Sequence, residues 1–428
     1  MPGVACERRV LLTLAACSLA SSLIIGCQKP RPIRVGVLHS LTGTMAISEK
    51  SVADATLMAI EEINQKGGLL GRPVEAVVAD GRSDAETFAR ETQRLIQEEK
   101  VATIFGCWTS ASRRTVKPVV ERFNHLLFYP VQYEGLESSP NIVYTGAAPN
   151  QQIIPAVKWS LDNLGRTFFL VGSDYVFPRT ANAIIRDQVT ALRGDIVGEE
   201  YLLLGSRDVG GVVEKIKAAK PKVILNTING DTNIAFFQAL RKAGISSSDI
   251  PTMSFSVGEE ELRGLGPKDF IGDYATWNYF QALDTPENTA FVARFKSRYG
   301  PSRVTSDPIE AGYFGVYLWA QAVKAASSAE LADIRLAIRK QSFLAPEGVV
   351  YIDLDNLHTW KGVRIGRIQK DGQFDIVWRS ARPVRPVPYP IYRTKAQWEL
   401  FLTSLYTRWG NRWANPGVVP AGENRKTE

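Results

Sequence analysis

The sequence predicts an α/β fold of two doubly wound lobes, each built on a mainly parallel sheet, with a hinge between them. Three observations carry this reading. At 428 residues the chain is too long for one ordinary domain. Short β-branched runs alternate with helical periodicity along most of its length, the pattern of parallel strands joined by crossover helices. The alternation pauses near Asn150 and then restarts, which implies a second lobe of similar size. A composition of 45% hydrophobic and 22% charged residues can fill both cores without disulfides.

In the first lobe, residues 33–39 (IRVGVLH) read as a strand and 40–48 as a polar loop. A helix is expected over 51–65, with Ala55, Ala59, Ile60 and Ile63 on its buried side and Gly67-Gly68 as its stop. A strand over 74–80 and a helix over 85–98 follow. Val101, Ile104 and Phe105 then mark a buried strand that Gly106 breaks. Thr109 or Ser110 stands where a helix N-cap would stand, before helical character over 112–123. A further strand, 126–129, is stopped by Pro130. The loops after these strands carry Trp108, Thr109 and Ser110 on one side and Tyr129, Gln132 and Tyr133 on the other. In open parallel sheets ligands bind outside the carboxyl ends of strands. The two loops are therefore either half of a small-molecule site or two ordinary connections.

The second lobe alternates helices over 152–164, 180–193, 209–219 and 233–243 with strands over 167–172, 196–203, 223–227 and 251–255. Residues 274–282 carry the chain back. Helical patterns cover 287–299, 307–326 and 331–340, and strands are expected over 348–354, 363–368 and 373–378. The last two are joined by an Asp371-Gly372 hairpin signal. The lobes are thus expected to comprise 33–147 with 280–345, and 148–279 with 346–380. Within the remaining 381–428, RPVRPVPYP (382–390) forces extended backbone. It is either a docking motif or a strap laid along a lobe before a helix over 396–409.

Residues 1–26 read as a signal peptide. Arg8 and Arg9 precede an apolar run over 10–25, which ends in Ile24-Ile25-Gly26-Cys27, the pattern of a bacterial lipobox. Cys27 would then carry lipid and begin the mature chain, exported and anchored to the membrane. The alternative, a membrane anchor, needs roughly 20 apolar residues, more than the run supplies. Cys6 and Cys17 fall in the segment to be removed, so Cys107 remains without a partner for an intrachain disulfide.

Several function classes find no support. The formal charge of +7 is scattered rather than gathered into a nucleic-acid groove. It is compatible with mild attraction to an anionic membrane surface. There is no phosphate loop, no GxGxxG after the first strand, no HExxH or CxxC, and no GxSxG. His39, His125 and His358 are far apart and follow no metal spacing. No cofactor, metal or catalytic residue is expected.

The run 33–40 with its Gly-Thr loop, EEINQKGG and LLGRPVEAVVAD together resemble the amino-terminal signature of type I periplasmic binding proteins of the branched-chain amino acid class. Within that class, GCWTSASRRTVKPVVE, LLFYPVQYEGLESSPNIVYTGAAPNQQ, VGSDYVFPRTAN, INGDTNIAFF and SDPIEAGYFGVYLW are similar to the substrate-binding proteins of urea ABC transporters. The related amide-binding receptors share much of this. The resemblance implies two lobes joined by three crossings that close on a ligand, delivery of urea or a short amide to permease subunits, and no enzymatic activity. It also implies contact loops at Trp108, Thr109 and Ser110, at Tyr129, Val131 and Gln132, at Tyr175, at Asn229 and Asp231, and at Ser256 and Glu259. Urea offers four N–H donors and one carbonyl, and each group left unpaired on burial costs about 1–3 kcal/mol. Gln132, Asn229, Asp231 and Glu259 are then the expected acceptors. Ser110 and the N–H groups opening the following helix are the expected donors. Trp108, Tyr129 and Tyr175 would sandwich the ligand plane or simply pack in the core.

Overall fold

The computed structural model describes residues 30–417. The signal segment with Cys27 lies outside the described residues. The first lobe opens with β1 (Ile33–His39), α1 (Ala46–Gln65), β2 (Val74–Asp80), α2 (Ala85–Gln97), β3 (Ile104–Gly106), α3 (Ser110–Arg122), β4 (Leu127–Tyr129) and β5 (Ile142–Tyr144). Its strands form one parallel sheet in the order β2-β1-β3-β4-β5. Strands buried on both faces by helices read as near-continuous apolar runs. β1 does so, with Val35, Val37 and Leu38 fully buried. Helix α1 starts at Ala46, a turn earlier than its apolar periodicity indicates, because Ser48 and Ser51 on that turn are buried against the other lobe.

The chain then builds the second lobe from α4 (Ile153–Asn163), β6 (Thr167–Ser173), α5 (Val176–Ala191), β7 (Asp195–Leu202), α6 (Gly210–Ala219), β8 (Val223–Thr227), α7 (Thr232–Lys242), β9 (Thr252–Ser254), α8 (Glu259–Leu265) and β10 (Tyr274–Trp277). It returns to the first lobe with α9 (Pro286–Tyr299), α10 (Asp307–Ala326), α11 (Leu331–Ala337), β11 (Ser342–Ala345), β12 (Gly348–Ile352) and β13 (Thr359–Trp360). Helix α10 packs on α1, and its Phe314, Leu318 and Trp319 complete the first core. β14 (Arg364–Ile368) and β15 (Phe374–Arg379) add an antiparallel edge to the second sheet, whose order is β15-β14-β10-β9-β8-β6-β7.

One expected boundary moves. Residues 346–360 belong to the first lobe rather than the second. Val350, Ile352 and Leu357 are buried in the first core, and Tyr144 pairs with His358 beside β5. The third crossing is therefore at 361–363. The buried ammonium of Lys361 ties the crossings together. It donates to the Thr145 carbonyl of the first crossing at 3.1 Å and pairs with Glu347 at 3.1 Å and Asp307 at 3.7 Å. Asp307 in turn accepts the N–H groups of Asn278 and Tyr279 on the second crossing, at 2.7 and 2.9 Å.

The Pro-rich segment is a strap. The Pro388 carbonyl accepts from Leu136 N–H at 2.8 Å in the first lobe, and Val387 N–H donates to Asn150 Oδ1 at 2.8 Å at the hinge. α12 (Lys395–Arg408) follows and buries Trp398, Leu402 and Leu405 in the second lobe's core. Arg393, just before it, makes two bonds to Asp187 at 2.6 and 2.8 Å. Among the described residues no helix is long and apolar enough to cross a membrane.

Candidate functional site

The carboxyl ends of β3 and β4 face those of β6, β8 and β9 across the interlobe crevice. On the first lobe, the chain leaves β3 through Gly106, where a Cβ would sit 2.0 Å from the Leu38 carbonyl oxygen. Only glycine allows that approach. Cys107 then takes a left-handed turn (φ 67°), and the next residues swing out of the sheet. Thr109 caps α3 by accepting Ser112 N–H at 3.0 Å. The first N–H groups of the helix, on Ser110 and Ala111, have no intrahelical acceptor. Tyr129 is fully buried, and its hydroxyl donates to the Trp108 carbonyl at 2.6 Å, locking the two loops together. Val131 holds its place by backbone, with its carbonyl pressed against Gly146.

Gln132 reaches across the crevice, where its Nε2 donates to the Phe255 carbonyl at 2.9 Å. This sets it beside Ser256 and, one turn on, Glu259. Glu259 Oε1 accepts Gln281 N–H at 2.6 Å. The second lobe's remaining candidates are less alike. Tyr175 is buried at the end of β6 against Ala111 of the first lobe. Asn229 spends its groups locally, with N–H to Ser173 Oγ at 3.0 Å and Nδ2 to the Thr227 carbonyl at 3.2 Å. Asp231 accepts from Thr44 Oγ1 at 2.5 Å across the crevice. It belongs to a closing seam with Ser48, which donates to Glu261 at 2.6 Å, and Ser51, which donates to Glu260 at 2.7 Å. The lobes are thus closed on each other.

Around the closed crevice, Trp108 Nε1, Gln132 Oε1, Ser256 Oγ and Glu259 Oε2 are buried and have no hydrogen-bond partner in the protein. Burial pushes the Glu259 carboxyl up to about 8, with Glu261 and Asp307 adding like charge. Its protonated form is thereby favoured relative to an exposed carboxyl.

The expectation for Ser110 is corrected. Its hydroxyl hydrogen goes to Glu134, and its oxygen accepts from Arg113 Nη1 at 2.9 Å. Ser110 belongs to a buried charge network behind the site that the sequence reading missed. Arg113 pairs with Glu134 at 3.1 Å and Glu137 at 3.1 Å, and Arg114 Nε reaches Glu134 at 3.0 Å. The Arg113 guanidinium also lies over Tyr129 (4.9 Å) and Tyr133 (4.4 Å). Burial alone would raise Glu137, but Arg113 and Arg114 overcome it and hold the group at about 2. A run such as Ser-Arg-Arg followed by Glu134 and Glu137 looks like an exposed charged face in sequence. Only the sheet topology reveals it as interior.

A cavity of about 510 Å³ lies on one flank of the crevice, lined by Thr109, Tyr175, Arg114 and, from the carboxyl-terminal tail, Trp413 and Asn415. Trp108, Gln132, Ser256 and Glu259 are not part of its lining. Among the described residues no group of His, Cys, Asp and Glu could hold a metal ion.

Residues 33–395 match the family model described as a periplasmic binding protein domain. The chain belongs to the periplasmic binding protein family. Its members are binding proteins and not enzymes. The binding protein is 22% identical over 403 residues to "Leu/Ile/Val-binding protein homolog 7" of Brucella melitensis, covering 88% of this chain and 99% of that one. A shorter segment of 124 residues is 37% identical to a Geobacillus stearothermophilus protein named limonene hydroxylase. The match takes in 29% of this chain and spans only 23% of that relative's length. Among solved structures, an R. palustris ABC transporter solute-binding protein in complex with 4-hydroxybenzoate superposes with a TM-score of 0.74 at 24% identity, covering 82% of this chain and 97% of that chain. A leucine-binding protein from Thermotoga maritima gives 0.70 at 22% identity, covering 81% and 98%. These superpositions show the same fold of two parallel-sheet lobes.

Proposed function

We propose that this binding protein captures urea, or a comparably short neutral amide, in the inner crevice and delivers it outside the cytoplasm to an ABC permease. In the same reading it is exported by residues 1–26 and anchored through lipid on Cys27. The observation that carries the ligand class is the set of buried polar atoms without protein partners: Trp108 Nε1, Gln132 Oε1, Ser256 Oγ and Glu259 Oε2. Each such group costs about 1–3 kcal/mol unless a ligand satisfies it. Gln132 Oε1 suits an amide N–H, and Glu259 Oε2 accepts one when ionised or donates its own proton to a carbonyl when protonated. Trp108 Nε1, the Ser256 hydroxyl and the free N–H groups opening α3 suit a carbonyl. None of these four atoms belongs to a basic side chain, while Arg114 Nη2, also without a partner, lines the flank cavity with Thr109 and Tyr175. Trp108, Tyr129 and Tyr175 supply the apolar, water-excluding walls.

Calorimetric titration with urea, acetamide, formamide and leucine tests the reading. Binding of urea or acetamide with no heat from leucine is expected. Leucine binding with no response to any amide would overturn it.

A further inference from the structure

The carboxyl-terminal tail after α12 crosses the flank cavity and touches both lobes. Along the second lobe it pairs as a short antiparallel strand, with Ala414 opposite Tyr175. Val176 N–H donates to the Trp413 carbonyl at 2.9 Å, and Asn415 N–H donates to the Asp174 carbonyl at 3.0 Å. The Asn415 side chain adds a bond from Nδ2 to Asp174 Oδ2 at 2.6 Å. Toward the first lobe the contact is of another kind. The Arg114 guanidinium stacks on the Trp413 ring at 4.9 Å, and that ring is backed by Tyr406 of α12 at 4.5 Å. Asn411, Arg412, Trp413, Ala414, Asn415 and Pro416 all line the cavity together with Thr109 of one lobe and Tyr175 of the other.

We infer that residues 411–416 are a lid over the ligand's way in and out, seated on Asp174–Val176 and clasped to Arg114 when the lobes close. The asymmetry of the contacts gives the mechanism. The second-lobe side is backbone pairing, which survives opening. The first-lobe side is the cation–π contact of Arg114 on Trp413, worth about 0.5–2 kcal/mol, which breaks when Arg114 moves away with its lobe. The lid therefore stays with the second lobe and meets the first only in the closed form. It adds to closed-state stability and lengthens the bound lifetime. It also pins the loop that carries Tyr175, so tail and ligand wall move as one unit.

The inference rests on the reading of the inner crevice as the ligand site, and the test separates the two. Urea release from the full-length chain is followed by stopped-flow tryptophan fluorescence, beside the doubly substituted Trp413→Ala/Asn415→Ala chain. The lid predicts release at least fivefold faster in the variant, with the ligand-free melting temperature changed by no more than about 2 °C. Release within twofold of the unaltered chain overturns the lid. Hydrogen exchange on the unaltered chain decides even where the variant fails to fold. The Trp413 indole should gain protection on saturation with urea, whereas Asn415 N–H should be protected both with and without it. An indole indifferent to urea overturns the lid. Absence of any amide binding in the unaltered chain is a failure of the ligand reading instead, visible by calorimetry before the tail is touched.

Discussion

The two walls of the inner crevice are built on opposite principles. On the first lobe, Arg113 and Arg114 pair with Glu134 and Glu137, Ser110 and Tyr144 add hydrogen bonds, and Tyr129 and Tyr133 stack on the guanidinium, with Glu137 Oε2 and Arg114 Nη2 left over. Glu137 there is held at about 2 by Arg113 and Arg114 against the burial that would raise it. On the second lobe, Glu259 and Glu261 are buried without a cation, and burial pushes them up to about 8 and about 7. A closed ion network is a rigid support, because removing any one member strands a buried charge. Neutralised carboxyls with loose ends are responsive, because ligand, water or a partner lobe can change their state. In the proposed site the first lobe is therefore the preformed half, and the second is the half whose energy depends on closing.

The comparison is broken most severely at Arg113. Arg113→Met leaves Glu134 and Glu137 buried without their principal partner and should cost about 3–5 kcal/mol of folding stability. Denaturant unfolding checks this, and a loss under 1 kcal/mol would show that the network is not the support. Gln132→Ala should act on ligand binding instead. It removes both the contact to Phe255 and the acceptor Oε1, for a loss of about 1–3 kcal/mol in affinity by calorimetry.

The responsive wall should show itself in pH dependence. In the closed crevice Glu259, raised to about 8, and Glu261, raised to about 7, hold at neutral pH a share of protons that ordinary exposed carboxyls have released. Closing on a ligand therefore takes up protons. Affinity should rise as pH falls from about 8, and level off below the ordinary carboxylate range near 4.3. Glu259→Gln, neutral at every pH, should flatten that slope. Titrations at pH 6 and 8 in buffers of different ionisation enthalpy measure it, and a pH-independent affinity in the unaltered chain would sink the idea. The network side has the opposite sign. Glu137, held at about 2, contributes stability that is present above its unfolded value and lost as pH falls toward 2. The smallest effect is expected at the seam, where Ser48→Ala removes one hydroxyl from Glu261 and should weaken ligand binding by about 0.5–1.5 kcal/mol.

Much of this architecture is legible in the sequence because it is local. β1 and β2 fall on the apolar runs that announce them, and helices α1 and α10 follow their periodic faces. The loops proposed for the site are placed for a related reason, since they follow strand ends. What escapes is set by tertiary contact. α8 begins with Glu259-Glu260-Glu261, which reads as solvated charge until the opposite lobe covers it. β11 to β13 carry no sign of which lobe they join, because Val350, Ile352 and Leu357 would suit either core. Ser110 looks like a free donor until Glu134 and Arg113 arrive from elsewhere in the fold. The tail after α12 has no periodicity at all, and its pairing with Asp174–Val176 depends on where the helix delivers it.

In the proposed function a neutral amide satisfies the polar atoms left open in the inner crevice. The Trp108 indole is the one purely donating side chain among them and is directly observable. In a nitrogen-15 spectrum of the protein, with its 9 tryptophans, the Trp108 signal is assigned by its absence in Trp108→Phe. Saturating urea should move that resonance downfield as its N–H gains the ligand carbonyl. A Trp108 resonance that stays in place while urea binds would contradict the cradle described here.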